Sequence, residues 1–202
     1  MKRHGNLYPQ ICSRENIASA FDSVVATIRR KRGSQQRAES LMRRLQLQRE
    51  QIIGTLHERL KSETYRLSEP RDFIVREPKE RHIQCPSLTD KFIHHALMNV
   101  VKPLFIEKFT ADAFGSIEGK GREAAARRIQ RAMRRHAWYL QTDVRHFYES
   151  IDHDVCKAEV RRIIKCKPTL RLIDAIIDKS PKGLAIGFYP SQYLANMMLS
   201  RL

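Results

Sequence analysis

The stretch "SLTDKFIHHALMNVVKPLF" most constrains the fold of this chain, because its apolar residues recur at helical spacing along its whole length. Ser87 is the first residue of this stretch, where an N-cap is expected. The apolar positions are Phe92, Ile93, Leu97, Val100, Val101 and Leu104. A helix with so much apolar surface must be covered by other elements, so we predict a strongly buried helix around which the rest of the chain packs.

Two further helices are predicted before it. Ser13 can cap the first, whose apolar residues Ile17, Phe21, Val24, Val25 and Ile28 share one face. The basic segment "RRKRGSQQR" follows as a hinge. A second amphipathic helix then carries a buried stripe made of Leu41, Leu45, Ile52, Leu56 and Leu60. The N-terminal third is therefore predicted to be helical.

Strand signals appear after residue 70. Short apolar stretches at 73–75 and 82–83 flank "REPKE", whose Pro78 and charges suit a turn, so we predict a β-hairpin with a basic tip. "AWYLQTDV", residues 137–144, is predicted to be another strand. Helices near 154–165 and 170–179 follow, and a last helix begins after the loop "KSPKGLAIGFYPSQ". The predicted fold class is α+β, rich in helix with a small antiparallel sheet.

The charge of the chain points to a polyanionic partner. Lys and Arg number 38 against 22 Asp and Glu, which gives a net charge of +16. This excess disfavours a compact state unless a polyanion neutralises it, so RNA or DNA is the expected partner. A basic helix places arginines on one side at helical spacing, namely Arg127, Arg131, Arg134 and Arg135. The alternative is a basic surface that only solvent covers, and a ribosomal-type binder would have a similar composition.

Cysteine spacing and the N-terminus bear on the cellular compartment. The four cysteines form no Cys-x-x-Cys pair and no zinc-binding spacing with histidine, so we expect reduced thiols in a cytoplasmic protein. "MKRHGNLYPQ" has no apolar core of the kind that signal peptides contain. No apolar run is long enough to span a bilayer, so no membrane partner is expected.

The segment "YLQTDVRHFYESIDHD" places one carboxylate, Asp143, at the end of the predicted strand and just before Phe147 and Tyr148. A carboxylate at the end of a rigid strand is a suitable Mg²⁺ ligand, shared with substrate phosphates, and two such ions promote phosphoryl transfer. Two alternatives stay open. Asp143 caps a turn, or it acts with Asp152 and Asp154 in a metal-dependent nuclease.

Two other motifs accompany Asp143. The hairpin "KERHIQCP" places Arg81 on a strand, and the loop "GLAIGFYPSQ" contains Gly187, which permits a close backbone approach to a base or sugar. In this order the motifs resemble a reverse transcriptase of the bacterial and phage type. "RHIQCPSLTDKFIHHALMNVVKPLF" and "GSIEGKGREAA" look like its fingers, and "TDVRHFYESIDH" and "GLAIGFYPSQYLANMML" look like its first palm motifs. "KRHGNLYPQICSRENI" looks like its N-terminal extension, so the resemblance covers nearly the whole chain.

The resemblance implies a right-hand polymerase and a role for each matching residue. It divides the chain into an N-terminal helical extension (1–70), fingers with the basic hairpin (71–136) and the first half of a palm (137–202). Asp143 and the backbone of Val144 bind Mg²⁺, or Mn²⁺ in its place. Tyr148 packs against the sugar and favours deoxynucleotides. The remaining nucleotide-binding residues of the pattern are Arg81, Arg76, His146, Phe147, Gly187 and Gln192.

Departures from the family pattern indicate the type of retroelement. Ala185 stands where the family usually has Pro. The Ile186–Gly187 pair and the Ser191–Gln192 pair look more like reverse transcriptases of diversity-generating retroelements than like group II intron enzymes. The partners implied are an RNA template, a primer and a deoxynucleoside triphosphate.

The family's second carboxylate pair, an aromatic-x-Asp-Asp hairpin, is expected after the last helix, and the chain stops at Leu202. We therefore expect no DNA synthesis by this chain alone, and self-association through an exposed palm edge. A non-catalytic, maturase-like RNA-binding protein on the same scaffold is the alternative function.

Overall fold

The computed structural model describes residues 3–30, 35–76 and 79–200. Within them the chain forms helices and one two-stranded antiparallel sheet, which confirms the predicted α+β class. The elements are α1 Tyr8–Cys12, α2 Arg14–Arg30, α3 Gln35–Leu47, α4 Arg49–Lys61, β1 Arg71–Val75, β2 Arg81–Cys85, α5 Leu88–Ile106, α6 Arg122–Met133, α7 Phe147–Ser150, α8 His153–Ile163, α9 Lys167–Ile177 and α10 Tyr189–Leu199. None of these helices is both long enough and apolar enough to cross a membrane.

Helix α5 is the buried centre of the fold, as its sequence predicts. It packs against α2 on one side and α10 on the other. Its N-terminus is capped by Ser87, whose Oγ accepts a hydrogen bond from the backbone N–H of Asp90 at 3.1 Å. The predicted cap of α2 is also present, because Ser13 accepts a hydrogen bond from the N–H of Asn16. Asp152 caps α8 in the same way, by accepting from the N–H of Val155.

A buried carboxylate connects the start of α5 to the segment that leads into the hairpin. Asp90 is 1% exposed. Its two oxygens accept hydrogen bonds from the hydroxyls of Tyr65 at 2.7 Å and Ser87 at 2.6 Å, and from the backbone N–H of Ser68 at 3.3 Å. Because a buried charge is costly without such partners, this cluster holds residues 65–68 firmly against α5.

The apolar core consists of two clusters that meet along α5. One cluster joins α5 to α1 and α8–α10 and includes Leu97, Met98 and Val101. The other joins α5 to α2 and α4 and includes Phe92 and Ile93. The predicted division of the chain at residues 70 and 136 stays a prediction.

The prediction of a single helix across residues 41–60 is wrong. The structure has α3 and α4 there, and Gln48 between them has φ −99° and ψ 6°. The apolar stripe nevertheless continues from Leu45 to Ile53, Leu56 and Leu60, all of which are buried. The stripe alone therefore hides the junction, because no Gly or Pro marks it.

The prediction of a strand at residues 137–144 is also wrong. Residues 137–144 have no regular secondary structure, and Trp138 and Leu140 are 90% and 88% exposed. A strand needs a hydrogen-bonding partner, and β1 and β2 pair only with each other within the described ranges. Self-association through this region stays a prediction. Lys31, Arg32 and Pro78, from the predicted hinge and turn, lie outside the described residues.

Candidate functional site

A cleft of about 680 Å³, here called the Asp143 cleft, opens between three parts of the chain. The first is the end of the hairpin, with Lys79, Glu80 and Arg81. The second is the continuous segment 143–149. The third consists of Ile186 and Gln192, from the loop before α10 and from α10 itself. The three motifs that the sequence places far apart along the chain therefore meet around one cavity.

The hairpin contributes its positive charge at the open side of the cleft. Val75 pairs with Arg81 at the end of the two strands, and every residue of β1 is exposed. Arg81 lines the cleft, whereas Arg76 does not. The Nε atom of Arg76 instead lies 3.9 Å from a carboxylate oxygen of Glu80, and both side chains are largely exposed. Of the two arginines that the resemblance implies, the cleft contains only Arg81.

The segment that carries Asp143 turns sharply before α7. Asp143 and Val144 both line the cleft, where Asp143 is exposed and Val144 is 48% exposed. His146 adopts a left-handed conformation with φ 51° and ψ 39°, and its carbonyl accepts a hydrogen bond from Ser150 N–H at 2.9 Å. This turn directs the chain into α7, where Phe147 and Tyr148 are half-buried against the core.

A loop at residues 183–188, here called the strap, joins the hairpin to this turn. The N–H of Gln84 donates to the carbonyl of Ile186 at 2.8 Å, and the N–H of Leu184 donates to the carbonyl of Tyr148 at 2.8 Å. The strap is so close to α7 that a Cβ at Gly183 would lie 2.1 Å from the Tyr148 carbonyl oxygen. Only glycine fits at this position without moving the backbone.

Tyr148 and Gln192 form a wall of the cleft. The Tyr148 hydroxyl donates a hydrogen bond to Gln192 Oε1 at 2.8 Å, and burial raises the pKa of that hydroxyl. Gly187 lies on the other side of this wall, where a Cβ would be 2.6 Å from the Gln84 carbonyl oxygen. Gly187 therefore holds the strap against β2 and does not line the Asp143 cleft.

The binding of Mg²⁺ or Mn²⁺ at Asp143 and Val144 stays a prediction. No group of three or more His, Cys, Asp or Glu side chains within residues 3–30, 35–76 and 79–200 has a suitable arrangement. Asp152, which the nuclease alternative requires, is occupied as the N-cap of α8. Asp143 thus offers one exposed carboxylate, which is less than a two-metal site needs.

Helix α6 presents an open basic surface. None of its residues is buried, and Arg127, Arg131 and Arg134 line a shallow basin of about 710 Å³. Arg127 lies 3.6 Å from Glu123, whereas Arg131, Arg134 and Arg135 have no acidic partner among the described residues. Arg135 lies outside the basin. Arg131 lies in the last turn of α6, and Arg134 and Arg135 follow directly after the helix. These three unpaired guanidinium groups are suited to phosphate contacts.

Two features of the site could not be read from the sequence. Arg128 also lines the basin, but Asp112 holds it through two hydrogen bonds of 2.8 and 2.9 Å. A cavity of about 430 Å³ lies behind the Tyr148–Gln192 wall and is bounded by α2, α5 and the strap. We call it the His94 pocket. A histidine on an apolar helix has the same sequence pattern whether it only packs in the core or borders a pocket, so no sequence signal marks His94.

Comparison with known proteins gives one distant relative and no match to a family model. Over 97 residues the chain is 24% identical to a protein of Arabidopsis thaliana described as nuclear intron maturase 1, mitochondrial. The match covers 48% of this chain and 14% of the relative, so the chain spans a small part of that protein's length. The chain is therefore distantly similar to an intron maturase.

Proposed function

We propose that this chain binds RNA as part of a maturase-like protein, with the basic surface of α6 in contact with phosphates. The observation that carries the proposal is the set of unpaired arginines at the exposed C-terminal end of α6, with Arg131 on the helix and Arg134 and Arg135 directly after it. The net charge of +16 and the distant similarity to an intron maturase support it. Because phosphate contacts dominate the affinity for nucleic acids, a surface of this kind can bind RNA without a catalytic site.

Salt-dependent binding tests the role of α6. Affinity for a fluorescently labelled RNA hairpin is measured by polarisation across a range of KCl concentrations. Replacing Arg131, Arg134 and Arg135 together by Gln is expected to reduce the slope of log affinity against log salt by about 2. The reason is that RNA binding releases fewer counterions when fewer phosphates are contacted.

The control variant removes the same charge from another part of the surface. Lys165, Lys167 and Lys182 are exposed and form no ion pair among the described residues, and all three are changed to Gln. We expect this variant to bind with nearly the wild-type slope. Equal losses in the two triple variants would show that net charge alone attracts RNA, and would refute a specific role for α6.

A second candidate function is nucleotide binding for reverse transcription, and the Asp143 cleft favours it. Asp143, Arg81 and Tyr148 line one cavity, which is the arrangement that the sequence resemblance implies for an incoming deoxynucleoside triphosphate. In this proposal Arg81 contacts the triphosphate, and the half-buried ring of Tyr148 packs against the sugar. The closeness of these three residues supports the proposal without establishing catalysis.

Two measurements test the second candidate. Binding of a fluorescent deoxynucleoside triphosphate is expected to weaken about tenfold in Arg81→Gln and little in Arg76→Gln, since only Arg81 lines the cleft. Primer extension by the 202-residue chain with Mg²⁺ is expected to give no product, because no three acidic, histidine or cysteine side chains among the described residues are arranged to hold a metal ion. Robust DNA synthesis would show that the chain is a polymerase, and RNA binding alone would then not describe its function.

A further inference from the structure

The His94 pocket has the size and walls of a site for one flat ring. Its volume of about 430 Å³ lies in the range of small-molecule sites. Ile28 of α2, Leu88 of α5 and Phe188 of the strap give it apolar walls, and no acidic residue lines it. His95 and Tyr189 both line the pocket, and their rings are stacked with centroids 4.5 Å apart and ring planes 19° from parallel. The lining therefore offers flat ring surfaces.

His94 gives this apolar pocket an unused polar group. The side chain is completely buried, each ring nitrogen exposes less than 1 Å² of surface, and neither nitrogen has a hydrogen-bond partner. Its ring contacts that of Phe188 at 4.9 Å, and burial lowers its pKa to about 4 against an opposing effect of Asp90. The imidazole is therefore neutral at pH 7, with one N–H donor and one acceptor nitrogen. Buried polar groups without partners are rare in native proteins, so this pair of atoms needs an explanation.

The other polar residues of the pocket suit a nucleotide. Lys91 is half-buried, lines the pocket one turn before His94, and has no acidic partner among the described residues. Its Nζ atom lies 3.5 Å from the Sγ of Cys85. Further polar side chains line the pocket, namely Thr27, His95, Ser191 and Gln192. An apolar space with polar groups at its edges and one nearby cation suits a nucleobase and its phosphate.

The pocket adjoins the Asp143 cleft through a common wall. Tyr148, Ile186 and Gln192 line both cavities, and the hydrogen bond from Tyr148 to Gln192 closes the wall between them. A ring in the pocket and a nucleotide in the cleft would thus lie on the two sides of the same pair of side chains. This neighbourhood favours a base from the bound nucleic acid over an unrelated metabolite.

We propose that the His94 pocket takes one unpaired base of the bound RNA strand and that the His94 ring turns toward the pocket to form hydrogen bonds with the edge of that base. The inference rests on the proposed RNA binding and adds a base-recognition residue to it. Lys91 contacts the adjoining phosphate.

The test compares RNA strands with and without bases. Polarisation gives the affinity of the 202-residue chain for a ten-nucleotide adenosine strand, a ten-nucleotide uridine strand and an abasic ribose-phosphate strand of the same length. We expect at least one base-containing strand to bind about tenfold more tightly than the abasic strand. His94→Phe is expected to reduce this preference three- to tenfold, and His94→Gln, which keeps a donor and an acceptor, to reduce it less.

Two further measurements guard against variants that fail to fold. Ile28→Trp fills the pocket from α2 and is expected to remove the base preference while the affinity for the abasic strand stays unchanged. In the wild-type chain labelled with ¹⁵N at histidine, the ring nitrogens of His94 are expected to shift with the base-containing strand and not with the abasic strand.

The outcomes separate this inference from the function on which it rests. Binding of no strand would overturn both. Equal binding of base-containing and abasic strands, with His94 signals that do not move, would overturn the pocket inference and leave RNA binding by α6 intact. A base preference that survives both His94→Phe and Ile28→Trp would place base recognition elsewhere and would also overturn it.

Discussion

The close contact between Gly183 and α7 predicts a large and position-specific cost for one added methyl group. Gly183 has φ +62°, and its Cβ would lie 2.1 Å from the Tyr148 carbonyl oxygen and 2.6 Å from the Glu149 Cα. Both are backbone atoms, so neither can rotate away. Gly119 is the matched control, because its φ is +74° and a Cβ there would meet nothing within 4 Å.

Alanine at either position has the cost of a left-handed backbone, but only Gly183→Ala also breaks a hydrogen bond and causes overpacking. A left-handed residue with a Cβ costs about 1–2 kcal/mol, and this applies to both alanine variants. Gly183→Ala also displaces the strap, which breaks the hydrogen bond from Leu184 to Tyr148 at a cost of about 1 kcal/mol and adds about 1–3 kcal/mol of overpacking. We therefore expect a loss of about 3–6 kcal/mol for Gly183→Ala and about 1–2 kcal/mol for Gly119→Ala.

Urea denaturation followed by circular dichroism at 222 nm measures both values. A loss of 3–6 kcal/mol is a large part of the stability of an ordinary domain, so Gly183→Ala should unfold at a much lower urea concentration than Gly119→Ala. Equal midpoints for the two variants would mean that the strap does not contact α7 as closely as the structure shows. The reasoning about the shared wall would then fail as well.

Three other perturbations have expected outcomes. Asp90→Ala is expected to destabilise the chain by about 2–4 kcal/mol in thermal melts, since it leaves the Tyr65 hydroxyl without its acceptor, and Asp90→Asn by less. The lowered pKa of His94 means that the folded state binds fewer protons than the unfolded state between pH 6.5 and about 4, so stability falls as pH drops through this window. Between these pH values the free energy of unfolding, measured with urea, should fall by about 3 kcal/mol less in His94→Phe than in the wild-type chain. The same fall in both proteins would show that the carboxylates alone cause it. Burial raises the pKa of Cys12 to about 11 and that of Cys156 to about 12, so iodoacetamide at pH 8 should modify these thiols far more slowly in the folded chain than in urea, as mass spectrometry would show.

Local signals predict the helices well because the relevant contacts are local. Ser13 and Ser87 cap the helices that their sequence positions predict. The apolar spacing also identifies α5 as the most buried helix. A hydrogen bond between residues three apart is decided by the local sequence, so it is visible before the fold is known.

The errors occur where the outcome depends on distant parts of the chain. Residues 137–144 have a strand-like composition, yet a strand forms only where another strand supplies its hydrogen bonds. The break at Gln48 depends on how α3 and α4 pack against α2, and nothing in the local sequence marks it. Both cases show that composition restricts an element to a few possibilities and that packing then selects one.

The sequence predicts residues that line the Asp143 cleft, but it does not predict the His94 pocket. The resemblance implies that Arg81, Asp143, Tyr148 and Gln192 act together, and the structure places them around one cavity. The pocket requires α2, α5 and the strap to leave a space between them, and an unfilled space has no sequence pattern. The lack of partners for His94 likewise becomes visible only when its neighbours are known.

The wall between cleft and pocket gives the strap a role beyond connection. Its N–H and carbonyl groups bind α7 at Tyr148 and β2 at Gln84, and the following helix supplies Gln192. A shift of the strap would therefore move a wall of both cavities at once, and no side chain in the wall could respond to one cavity alone. A Cβ added at Gly183 or at Gly187 would lie less than 3 Å from a backbone oxygen of a neighbouring element, so the strap has little room to move. The physical consequence is that a base in the pocket and a nucleotide in the cleft would be held at a fixed separation, which is what recognition of a base beside a bound nucleotide requires.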